Sequence, residues 1–166
     1  MQPDQARYVR DLFIPVVESE FETTLRLIAA IPEESKGYRP DPKARSAFEL
    51  AWHIAGSEIW LMDGILNGGF VPAQDRLPSE VETVADVLEW YDENFRDRWK
   101  KLKSLSAEHL SKTMPFGVSD YPAIAYLSFL TRHTAHHRGQ LSTYLRPMGT
   151  KVPSIYGGTA DEPWDG

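Results

Sequence analysis

Hydrophobic side chains recur along the chain in steps of three and four, the period of a helix that packs along one side. Residues 12 to 28 place Leu12, Phe13, Val16, Val17, Phe21, Leu25 and Ile28 in that spacing, and Pro15 predicts a helix that starts or bends there. A link dense in proline, glycine and charge follows, IPEESKGYRPDPKAR, after which Ser46 and Glu49 give the capping-box start of a second helix. Its inward positions read Leu50, His53, Ile54, Ser57, Leu61, Gly64 and Ile65, and Gly68-Gly69 stops it after about Asn67. Thr83 and Asp86 cap a third helix whose face carries Val84, Val87, Leu88, Tyr91, Phe95, Leu102 and Leu105, the clearest amphipathic pattern in the sequence. Pro115 and Gly117 break the next link, Pro122 suits the first turn of a fourth helix, and that helix closes near Leu145, ahead of Pro147 and Gly149.

No run alternates with period two for long enough to predict a sheet, and no repeat of fixed period occurs. Four amphipathic helices bury their faces together in an all-α four-helix bundle, here as one domain over residues 1–166 with a coil-like tail from 150 to 166. The link between the second and third helices, about fifteen residues, exceeds what adjacent antiparallel helices need and predicts a crossover.

Composition narrows the classes of function. Eighteen basic residues against twenty-four acidic ones give a formal charge of -6, a field that repels nucleic acid and anionic lipid. The chain has no cysteine, so any thiol chemistry needs a thiol from elsewhere. The start, MQPDQARYVRDLF, lacks the form of a secretory signal, and no stretch approaches the roughly 18 apolar residues of a membrane span. The expectation is a cytoplasmic protein with small-molecule partners.

The candidate chemistry lies in HTAHHRGQL, residues 133 to 141, which holds three of the five histidines. On a helix, His133 and His137 fall within or beside the apolar sector set by Tyr126, Leu130, Leu141 and Tyr144. His136 lies roughly 100° away, on the flank with Phe129 and Arg132. An i,i+4 histidine pair taken alone is often a half-buried surface pair. His53 changes the balance, because it takes an inward position on another helix where an unpartnered imidazole costs desolvation energy. Three inward histidines on two helices make a three-nitrogen set for a divalent ion with one position left over for water or substrate. Zinc and nickel suit it best, and iron, manganese and copper also accept such ligands.

Other residues carry plainer readings. His109 is expected in solvent, Glu49 is explained by its cap, and Gly139 is expected to permit close helix contact. Arg138 and Gln140 either meet substrate or cover the bundle end, Trp52 and Trp60 can line a pocket, and Tyr156 can reach back from the tail. A dinuclear carboxylate centre would need Glu-x-x-His, and no Glu stands three residues before His53, His133 or His137. No G-x-S-x-G turn supports a serine nucleophile, and the acidic balance opposes a helix-turn-helix reader.

The stretches KGYRPDPKARSAFELAWHIAGSE, HTAHHRGQLSTYLRPMG and VPSIYGGTADE together resemble the DinB-like (DinB/YfiT) superfamily of metal-binding four-helix bundles. The most specific element is H-x-x-x-H-R-G-Q at residues 133 to 140, combined with a helix-two histidine behind a proline-containing loop. Position by position, the resemblance puts the metal ligands on His53, His133 and His137 and leaves His136 aside. It implies a metal-dependent enzyme that activates a low-molecular-weight thiol, such as bacillithiol or mycothiol, for transfer to an electrophilic substrate, commonly as a homodimer. Catalytic residues beyond the ligands are not implied. Two alternatives stay open: a hydrolase using metal-bound water, and a non-catalytic stress-associated bundle with a structural metal.

Overall fold

The structure, a computed structural model, describes residues 1–73, 76–117 and 119–164. Four long helices form a bundle: α1 (Pro3–Ala29), α2 (Ala47–Asn67), α3 (Val84–Lys103) and α5 (Tyr126–Leu145). Between α3 and α5 lie the short α4 (Ala107–Ser111) and an antiparallel hairpin of β1 (Thr113–Phe116) and β2 (Ser119–Pro122), whose register pairs Thr113 with Pro122 and Phe116 with Ser119. The period-two search misses this hairpin because strands of four residues are too short to show alternation against Pro115 and Pro122. Short 3-10 turns at Glu33–Ser35 and Ala123–Ala125 complete the order, the second taking the place expected for the first turn of the last helix.

The capping boxes form as the sequence requires. Ser46 Oγ accepts from the Glu49 N–H while the Glu49 carboxylate accepts from the Ser46 N–H, and Thr83 and Asp86 do the same for α3. Gly68 adopts φ of 71° and closes α2 in the left-handed conformation that glycine permits. His109 is half-buried, contrary to expectation, and its Nε2 lies 2.7 Å from the Ile65 carbonyl, where it caps the end of α2.

α1 departs from its sequence reading. It begins at Pro3, whose missing N–H costs nothing in a first turn, and continues past Pro15 without a break instead of starting there. Pro15 and Asp11 both lie on the exposed side of the helix, where the carbonyl that the proline ring leaves without a donor costs least. The buried face consists of Ala6, Val17, Phe21, Thr24, Leu27 and Ile28, while Leu12 and Val16 stand 54% and 44% exposed. Apolar residues cover more of the circumference of α1 than its neighbours can, so the neighbours select which of them are buried.

α1 packs on α3 and α5, and α2 packs on α3 and α5. The long link after α2 therefore joins helices that touch. The diagonal steps are the links from α1 to α2 and from α3 through the hairpin to α5, so the crossover exists but not where link length placed it. Phe21 stacks on Phe95 at 3.8 Å, Tyr91 meets Phe21 edge-on at 5.2 Å, and this aromatic cluster joins α1 to α3.

Gly64 allows the Phe70 ring to lie flat on α2, since a Cβ at this position would sit 2.2 Å from two ring carbons. Trp60, Phe116 and Tyr126 surround that ring at 4.9 to 5.2 Å, so it has little room to swing aside. Gly64→Ala gains up to about 1 kcal/mol of helix propensity and loses about 1–3 kcal/mol to overpacking. The expected net result is a melting temperature lower by a few degrees, checked by thermal denaturation against the double variant with Phe70→Ala, where the added methyl should cost nothing.

Candidate metal centre

α2 and α5 are neighbours, and their facing sides carry the three histidines singled out in the sequence. Each offers one ring nitrogen, and the three atoms lie within 4.8 Å of one another. The Nε2 atoms of His53 and His137 face each other at 3.1 Å across the helix pair. Ring centroids are 5.2 Å apart for His53 and His133 and 4.5 Å for each of the other two pairs. Nitrogens bound tetrahedrally to one zinc at about 2.0–2.1 Å sit about 3.3 Å apart, so a rotamer adjustment of an ångström or so closes the set. Two Nε2 atoms facing each other at such a distance hold either one shared proton or a cation between them. The donor set thus fits a divalent ion, and among the described residues no Asp, Glu or further His joins the group.

All three rings are half-buried, and the chain itself orients two of them. Gln140 Oε1 lies 3.1 Å from His137 Nδ1 and accepts its N–H, which leaves Nε2 as a lone pair directed at His53. Ser57 Oγ stands 3.4 Å from His53 Nδ1. Burial lowers the pKa of His137, and the nearby His53, His136 and Arg45 charges act in the same direction, outweighing the Gln140 hydrogen bond. The imidazole is thereby kept neutral, the form that binds a cation.

The other candidates separate cleanly. His136 is exposed and off the cluster, with its ring 4.8 Å from that of His137. Glu49 serves its cap and pairs with Arg39 at 2.8 Å. Gly139 faces open space, with nothing within 4 Å of a Cβ built on it, so it makes no close helix contact. Trp52 and Trp60, with Trp90, do line a cavity of about 310 Å3 that reaches Ser57. Gln140 supports His137 through its hydrogen bond to Nδ1.

Sequence reasoning missed a buried polar chain behind the histidines. Arg138 is fully buried, pairs with Glu20 on α1, and donates to the Glu20 carbonyl at 2.8 Å and to the Tyr156 hydroxyl at 2.6 Å. Tyr156 also donates to Glu20 at 2.9 Å, so the tail does reach back, but onto this ion pair. Thr24 continues the chain at 3.4 Å from Arg138. Deeper still, the fully buried Glu58 accepts from the Tyr91 hydroxyl, with Thr134 beside it. Burial raises the Glu58 carboxyl from 4.5 to about 7 against those hydrogen bonds. Arg138 and Thr134 each follow a clustered histidine by one residue, so the helical turn that points the imidazoles toward α2 points these groups into the core.

A helical bundle with three converging imidazoles on adjacent helices defines a class of histidine-centred bundles with the capacity to hold a metal. The comparisons make the class specific: the DinB family model matches residues 9–165, and the chain belongs to that family. It is 29% identical to the protein YrdA of Bacillus subtilis (strain 168) over 157 residues, covering 93% of this chain and 91% of YrdA. Identity to YjoA of the same organism is 31% over 141 residues, 81% of this chain and 88% of YjoA. The crystal structure of YjoA, a DinB-like protein, superposes with a TM-score of 0.70 at 25% identity, covering 89% of this chain and 96% of that one. A DinB-like protein from Bacillus cereus ATCC 10987 superposes at 0.75 with 22% identity, over 87% and 95% of the two chains, which supports the fold. Among the described residues no helix is long and apolar enough to cross a membrane.

Proposed function

We propose that His53, His133 and His137 hold a divalent metal ion and that the chain is a metal-dependent enzyme transferring a low-molecular-weight thiol to an electrophile. The observation that carries this reading is the 3.1 Å approach of two Nε2 atoms from separate helices, with a third imidazole beside them and no carboxylate in the group. Three neutral donors keep the full charge of a cation available to an incoming ligand and leave coordination positions for it. His53, His133 and His137 would hold the ion, which would supply Lewis-acid chemistry toward a thiol.

The residues of the chain set the conditions for that chemistry. Gln140 fixes the His137 tautomer so that its lone pair faces His53, and Arg138, one residue on, ties the opposite face of α5 to Glu20 of α1. The absence of cysteine leaves no internal thiolate to compete for the ion. An exogenous thiol and a separate electrophile are therefore the partners expected, with zinc or nickel as the ion.

Metal analysis of the purified protein and of His53→Ala, His133→Ala and His137→Ala tests the ligand set. One equivalent is expected in the wild type, and each alanine variant should lose stoichiometric binding while keeping its helical circular dichroism. Retention of a full equivalent by all three variants overturns the site. Incubation of the metal-loaded protein with a fluorogenic electrophile and a panel of thiols tests the reaction. Turnover should require thiol, and thiol-independent hydrolysis of ester or amide substrates instead assigns a hydrolase.

A further inference from the structure

The basic residues of this acidic chain are not spread evenly. A cleft of about 540 Å3 at the N-terminal end of α2 is lined by Arg39, Lys43, Arg45 and Arg76 together with Glu49 and Trp52. Glu49 is the only acid among the described lining residues, and it is already engaged by Arg39 at 2.8 Å and by the Ser46 N–H at 2.8 Å. The lining therefore sums to a net positive charge in a chain of net charge -6.

The cleft lies about one helical turn from the histidines, because Glu49, which lines it, precedes His53 by four residues on α2. A planar guanidinium matches the paired oxygens of a carboxylate or phosphate, and charge-assisted hydrogen bonds to such groups are the strong ones. A small thiol touching only a metal would be held by one atom. A charged group elsewhere on the molecule, seated among these cations, would fix its position and distinguish it from other thiols.

We propose that this cleft binds the carboxylate or phosphate group of a small-molecule cosubstrate whose reacting atom is presented to His53, His133 and His137. The assignment of the reacting atom rests on the function proposed above; the anion site does not. Isothermal titration with succinate and, separately, with inorganic phosphate reads the anion site directly, and the protein is used metal-free so that neither probe reports on the ion. Uptake of one of the two is expected, weakening as salt is raised. The variant Lys43→Gln/Arg76→Gln should lose about tenfold or more in affinity for it. Both side chains are exposed, so the melting temperature should not change. If neither anion binds, or if the variant binds as the wild type does, the proposal fails.

The link to chemistry is read with metal-loaded protein, by comparing glutathione with uncharged 2-mercaptoethanol as cosubstrates. The double variant should raise KM for glutathione about tenfold at unchanged kcat and leave 2-mercaptoethanol unaffected. An equal effect on both thiols overturns the cosubstrate assignment. Anion binding that the variant loses, in a protein with no thiol-dependent turnover, keeps the cleft as an anion site while the transferase reading falls.

Discussion

Replacing Arg138 by methionine is expected to lower the unfolding free energy by about 3–5 kcal/mol, the usual cost of removing one partner from a buried ion pair. The guanidinium has no exposed surface, and the Glu20 side chain is 14% exposed, so the carboxylate left behind has little water to replace its partner. Tyr156 still donates to Glu20, and that one hydrogen bond recovers only about 1 kcal/mol. For a chain of this length, a loss of that size corresponds to a fall of roughly 10–15 °C in melting temperature. A second substitution, Glu20→Leu, should restore most of the stability, because a buried pair replaced by apolar side chains of similar volume is often neutral. Thermal denaturation of the single and double variants checks both statements. A single variant within about 1 kcal/mol of the wild type shows that water reaches Glu20 and that the pair is not a structural anchor.

The second large effect is a dependence of stability on pH that originates at Glu58. Its carboxyl titrates near 4.5 when exposed and at about 7 in the fold, because burial disfavours the charged form. The folded state therefore binds more protons than the unfolded chain between those values, and stability falls as pH rises through that window. At about 1.4 kcal/mol per unit, the loss on passing from below 4.5 to above 7 is about 3 kcal/mol. Glu18, Glu33, Glu49 and Asp86 have lowered values and act with the opposite sign, but their stabilisation develops below the window. Glu58→Gln preserves an acceptor for the Tyr91 hydroxyl and carries no charge. Chemical denaturation from pH 5 to pH 8 should show a decline in stability for the wild type relative to the variant, since the contribution of His137, whose lowered value acts with the opposite sign, is common to both. Parallel pH profiles for the two proteins exclude Glu58 as the origin.

Both predictions concern groups that the hydrophobic pattern did not reveal. A periodicity argument assigns residues to an inner or an outer sector, and it treats polar residues in the inner sector as exceptions. His53, His133 and His137 are such exceptions, and they were legible because three imidazoles recurred at inward positions. Glu58, Thr134 and Arg138 are equally inward, yet nothing in the local sequence names their partners, since Glu20, Tyr91 and Tyr156 come from α1, α3 and the tail. The cleft at the start of α2 was hidden for a related reason. Its cations are drawn from two links separated by the whole of α2, and only folding makes them neighbours.

The sequence alone determined what depends on short-range rules: four amphipathic helices, the caps at Ser46 and Thr83, the stop at Gly68, and the one-turn spacing that puts two imidazoles on one face. These follow from backbone hydrogen bonding and helical geometry within a few residues. Tertiary structure decided which helices touch, which apolar residues of α1 were left in water, and where the buried charges found partners. Those outcomes depend on competition among surfaces distant along the chain, and the energy of each contact exists only once a neighbour has excluded water from it.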